Sequence, residues 1–90
     1  MRYSAKWRRC MHELGVLLHA VRTVDRLAEQ NRVKRVKYIT LEVGQDSGFV
    51  SMYLTKLFPV SIEGFPRMQK AELKLNLVPG EGLQIKDFGY

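Results

Sequence analysis

The sequence predicts an α+β fold, two helices packed on one face of a three-stranded mixed sheet, in the order helix, strand, helix, strand, strand. Three observations carry this expectation. Apolar residues recur at three-and-four spacing from Leu14 to Ala28 and again from Val50 to Phe58. Val36–Val43 is rich in β-branched and aromatic residues, and Glu72–Leu77 alternates polar and apolar without a fault. A chain of 90 residues with 46% hydrophobic composition builds one domain with little core to spare.

The first ten residues, MRYSAKWRRC, show no consistent period and read as a basic N-terminal arm, with a part-helical form left open, ahead of a domain over 11–90. The first helix is then expected over about Glu13–Asn31. Leu14, Leu17, Leu18, Val21, Val24 and Ala28 form its stripe, and Arg22, Arg26 and Arg32 lie toward its negative end. Val36–Val43 follows as a strand that stops at Gly44, with Ile39, Leu41 and Val43 on one face and Val36, Tyr38, Thr40 and Glu42 on the other.

Gln45-Asp46-Ser47-Gly48 is a turn in which Asp46 or Ser47 is placed to cap the second helix. The stripe Val50, Tyr53, Leu54, Leu57, Phe58 marks that helix, which should end or kink at Pro59 because proline clashes with the preceding turn. Residues 61–69 form a connection with no clear pattern. Glu72–Leu77 and Leu83–Lys86 are strands joined by the turn Pro79-Gly80-Glu81-Gly82, and an antiparallel hairpin is the expected pairing.

The net charge of +6 is concentrated in the arm. Arg2, Lys6, Arg8 and Arg9 meet no acid there, and the remaining eleven Lys/Arg face nine Asp/Glu, an ordinary balance for a globular domain. His12 and Glu13 interrupt any signal-peptide pattern, no small-x-small cleavage site follows Leu14–Leu18, and no stretch approaches the roughly 20 apolar residues of a membrane helix. A single cysteine, Cys10, excludes an internal disulfide and any paired Cys-x-x-Cys staple, so zinc is not expected and a reducing, cytoplasmic setting is. A nucleophilic triad, a phosphate-binding glycine loop and a paired-carboxylate site all lack their components, so the chain is not expected to be an enzyme.

The residues that suggest chemistry are His12 and Glu13. An imidazole and a carboxylate both suit a divalent transition metal, although side chains adjacent in sequence diverge. His12 also suits a helix start, and Glu13 also suits the positive end of a helix dipole. His19 lies on a similar helix face to His12 and is expected to serve packing. Cys10 offers either a thiolate ligand or a small apolar side chain.

Met11-His12-Glu13-Leu14-Gly15-Val16, entering an amphipathic helix, resembles the start of the HypA/HybF nickel-incorporation proteins, which begin Met-His-Glu. The likeness continues through Val36–Gly44 and Ala71-Glu72-Leu73-Lys74-Leu75. It implies a nickel site built from a free terminal amine, nearby backbone nitrogen and the histidine, with His12 as imidazole ligand and Glu13 as supporting carboxylate or orienting group. It also implies delivery to a hydrogenase or urease precursor, in partnership with a nickel-chaperone GTPase.

The sequence departs from that pattern in three places. Met11 follows ten residues, so it offers an amide unless translation starts there, and Met1 and Met11 both stand as starts. Gln45 occupies the place of an expected acid, with Asp46 beside it. The zinc domain is absent: Leu77-Val78-Pro79 resembles its point of departure, Gly82–Lys86 the strand to which it returns, and Pro79–Gly82 the short turn that remains. Two other functions stay open, a metal-free interaction module of the same fold, which exposed sheet edges would let dimerise, and, less favoured, nucleic-acid binding through Arg2, Lys6, Trp7, Arg8 and Arg9.

Overall fold

A computed structural model describes residues 5–90, with side chains described from residue 12 onward. The elements are α1 (Ala5–Gln30), β1 (Tyr38–Gly44), α2 (Ser51–Ser61), a short 3-10 turn (Pro66–Met68), β2 (Glu72–Val78) and β3 (Leu83–Gly89). Two helices and a three-stranded mixed sheet make up the α+β architecture that the hydrophobic patterning predicts.

The strand pairing differs from the expected hairpin. The sheet order is β2-β1-β3, with β1 parallel to β2 and antiparallel to β3, so the last two strands flank the first instead of pairing with each other. Burial explains the choice. β1 is the most enclosed strand, with Ile39, Leu41 and Val43 in the core and Thr40 only 6% exposed between its neighbours, whereas neither β2 nor β3 has a fully buried residue. The strand with most to bury takes the centre.

Residues 79–82 therefore do not form a two-strand turn. They pass over the end of β1 and, with the last residue of β2, satisfy it: Gly44 N–H donates to Gly82 O (2.8 Å), Gln45 N–H to Val78 O (2.8 Å) and Asp46 N–H to Gly80 O (2.9 Å). Strands separated by one neighbour stand about 9–10 Å apart, a gap that four residues span easily. Gly44 is required at this crossing, because a Cβ there would run into the Gly80 carbonyl.

α1 starts at Ala5 instead of Glu13, so the helix takes in part of what the periodicity assigns to the arm. α2 runs through Pro59 to Ser61. Proline removes one backbone donor but leaves its carbonyl free, and the end is closed by Ile62 N–H and the Ser61 hydroxyl, both donating to Phe58 O. The connection after α2 is ordered by the 3-10 turn, which places Met68 in the core, and by Gln69 Nε2, which donates to Ile62 O and Phe65 O.

The core lies between the helices and one face of the sheet. Leu17, Ala20, Val21, Val24 and Ala28 of α1 and Leu54 and Phe58 of α2 meet Ile39, Leu41 and Val43 of β1. Among the described residues no helix is long and apolar enough to cross a membrane.

Candidate functional site

The helical repeat decides where the two candidate metal-binding side chains go. Successive residues on an α-helix are turned by about 100°, so neighbours cannot share a face. Residues 12, 15, 19, 22 and 26 all fall on the exposed side of α1, whereas Glu13 leads the buried stripe that continues through Leu17, Ala20, Val21, Val24 and Ala28. His12 is exposed and Glu13 is buried, and the structure does not bring them together as a chelating pair.

Glu13 is 1% exposed, and its Oε2 accepts the backbone N–H of Val50 at 2.8 Å. Val50 is the N-cap residue of α2, with φ −96° and ψ 116°, and no side chain of its own turn caps that helix. Asp46 and Ser47, the expected caps, do other things: Asp46 is exposed, and the Ser47 hydroxyl accepts the Phe49 N–H at 3.2 Å, two residues away. A carboxylate at the amino end of a helix also meets the positive end of its dipole. The dipole role open to Glu13 is thus met on α2, the helix Glu13 does not belong to.

Met11 lies within α1, and so its nitrogen in this chain is a helical peptide nitrogen; its side chain and that of Cys10 lie outside the described residues. So do the side chains of Lys6, Trp7, Arg8 and Arg9 and the whole of residues 1–4, which carry the expected nucleic-acid arm. His19 is exposed on the face that carries His12, about 10 Å further along the axis. That separation is too long for one ion to span. Among the described residues no group of three or more His, Cys, Asp or Glu side chains is placed to hold a metal ion.

What the geometry offers at residue 12 is an accessible imidazole whose next residue anchors α1 to the start of α2. The segment that follows β1 is held from two sides, by the 79–82 loop at residues 44–46 and by Glu13 at Val50. The charged feature that composition does not single out is at the other end of β1. There Arg32, Lys34, Arg35 and Lys37 are all exposed, and the signal was four cations in six residues with no acid between them.

A family model described as "Hydrogenase/urease nickel incorporation, metallochaperone, hypA" matches residues 11–83. No curated protein matches the chain closely enough to count as a relative.

Proposed function

The chain belongs to the HypA family of hydrogenase/urease nickel-incorporation metallochaperones, whose members are not enzymes, and from that premise we propose that it carries Ni(II) as cargo for the maturation of a nickel enzyme. His12 supplies the imidazole ligand. Glu13 is the orienting group, fixing the turn of α1 that presents His12 by its bond to Val50. The observation that supports this division is the pair of burials: an exposed imidazole beside a carboxylate that is fully enclosed and already bonded.

Nitrogen-rich coordination suits Ni(II), and a free amine is a far better ligand than a peptide nitrogen, which holds its proton. The family match itself opens at Met11. Binding should therefore be strongest when Met11 is the amino terminus. The partners we propose are a nickel-chaperone GTPase and a hydrogenase or urease precursor, in the cytoplasm, a setting that a chain with one cysteine suits.

Calorimetry with Ni(II) tests this on the full chain and on the chain begun at Met11. The reading expects saturable binding of about one ion per chain, tighter for the Met11 start, abolished by His12→Ala and weakened but kept in Glu13→Gln. No saturable binding by either form overturns it. Loss of binding in Glu13→Gln equal to that in His12→Ala would instead make the carboxylate a ligand.

A second reading has one observation in its favour. The absence of a three-ligand cluster among the described residues suits a metal-free interaction module of the same fold. Both β2 and β3 are sheet edges, so such a module could pair through a strand as a homodimer. Light scattering that returns a monomer at all concentrations removes the dimer.

A further inference from the structure

The end of α1 opposite Glu13 is closed by a Schellman turn. Arg32 N–H donates to Glu29 O (3.1 Å) and Val33 N–H to Ala28 O (2.8 Å), and the buried pair Ala28 and Val33 supplies the apolar contact that goes with this motif. The turn needs a left-handed residue, a place usually taken by glycine or asparagine. Here it is Arg32, with φ 58°, the one described residue other than glycine with positive φ. A strained backbone at a position where glycine would be free of strain directs attention to the side chain.

The segment that follows is tied to the 3-10 turn. Arg67 reaches back from the 3-10 turn: its Nε lies 3.0 Å from Asp25 Oδ1, its Nη2 4.0 Å from Glu29 Oε2, and its Nη1 donates to Val33 O at 3.4 Å. Its carbonyl accepts the Val36 N–H at 2.9 Å. One buttressing arginine therefore occupies the nearby acids, and the described ion pairs involve none of Arg32, Lys34, Arg35 or Lys37. Beside Arg32, Lys34 and Arg35 an open groove of about 620 Å³ runs between the end of α1 and the 3-10 turn, with Val33, Phe65 and Pro66 in its lining.

We propose that this groove docks an acidic polypeptide segment of a partner protein, with carboxylates on Arg32, Lys34 and Arg35 and an apolar side chain on Val33, Phe65 and Pro66. Acidic motifs are commonly read by arginine clusters on ordered frames. The lining decides between polyanions. Val33 and Pro66 offer aliphatic surface on which a peptide side chain can be buried, whereas Phe65 is the one aromatic ring in the lining, short of the run of rings on which successive bases stack. A small anion is also a poor fit, because the cations are spread along an exposed segment and do not converge in an enclosed pocket. The helix dipole explains a cation at Arg32 but not those at Lys34, Arg35 and Lys37.

Fluorescence anisotropy on the full chain tests the site with three labelled probes: a short Glu/Asp peptide carrying one central Leu, the same peptide with Ser in place of Leu, and a single-stranded oligonucleotide of equal charge. The Leu peptide should bind saturably and more tightly than the Ser peptide, weaken with salt, and lose about tenfold or more in affinity in the Arg32→Glu/Arg35→Glu variant. Arg32→Gly, which suits the backbone better, should weaken it while the protein stays folded, and His12→Ala should leave it unchanged. No binding of the Leu peptide, equal binding by the charge-reversed variant, or tighter binding of the oligonucleotide overturns the proposal.

Discussion

Glu13 and Val50, thirty-seven residues apart, are joined by a 2.8 Å bond between a buried carboxylate and the backbone donor that opens α2. In a capping box a Glu at the third helical position reaches back to the N-cap amide of its own helix. Here the carboxylate comes from a different helix, so the bond that caps α2 also sets how α1 lies against it.

Glu13→Ala leaves the Val50 amide without its acceptor and opens a gap in the core, which should cost about 2 kcal/mol. Glu13→Gln keeps an acceptor oxygen and should cost about 1 kcal/mol. Urea unfolding reads both. Equal stabilities for Glu13→Ala and the unaltered chain would mean that the bond adds nothing to the fold.

A second close contact holds the open face of the sheet. Tyr38 pairs with Gly89 across β1 and β3, and a Cβ on Gly89 would enter the Tyr38 ring. Lys74 lies over the same ring, with Nζ 4.1 Å from its centre. An aromatic side chain laid on a glycine shields backbone that the glycine leaves bare. Gly89→Ala should therefore destabilise by about 1–2 kcal/mol through overpacking, and the penalty should vanish when Tyr38→Ala is added. A thermal double-mutant cycle with no coupling between the two positions would refute the contact.

The pattern of apolar residues was enough to predict the helices, the strands and their layer, because burial on one face imposes the period directly. Leu17, Val21, Val24 and Ala28 are buried as their spacing implies. Glu13 is in phase with them but hidden by its charge, so an apolar stripe read from the sequence begins one residue late, at the half-buried Leu14. The bond that justifies its burial comes from Val50, and no local spacing reveals a partner so distant in sequence.

The end of β3 was obscured in a different way. The register shifts between Thr40 and Leu41, so that Ile85 faces Leu41 and Phe88 faces Ile39. A residue inserted at Lys86 keeps both on the core side although they are three apart, and strict alternation loses the strand there. Sheet order was beyond reach for a similar reason. A four-residue link between strands suits both a hairpin and an arch over a third strand, and the heavier burial of β1 selects the arch.

Gly44 carries that arch. A side chain on it meets the Gly80 carbonyl, and the same loop takes the amides of Gly44 and Asp46, with Gln45 held by Val78 at the end of β2. Gly44→Ala should lift the loop from the sheet and cost about 2–3 kcal/mol, more than overpacking by one methyl at a yielding site, because backbone and not a side-chain tip must move. Amide hydrogen exchange should show lost protection at residues 44–46. Exchange unchanged there, with stability intact, would place the loop elsewhere.

Arg32 gives a prediction of the opposite sign. A left-handed backbone costs an ordinary residue about 1–2 kcal/mol, and glycine avoids that while losing about 0.5–1 kcal/mol more conformational entropy on folding. The favourable charge–dipole contact of an exposed cation at a helix end adds only about 0.3 kcal/mol. At φ 58° the strain outweighs the rest, so Arg32→Gly should stabilise the chain by about 0.5 kcal/mol and raise its Tm by about 2–4 °C. Calorimetry at matched pH and salt reads the shift. A lower Tm would mean that the arginine contributes to the fold itself, and its strained backbone would no longer point to a binding role.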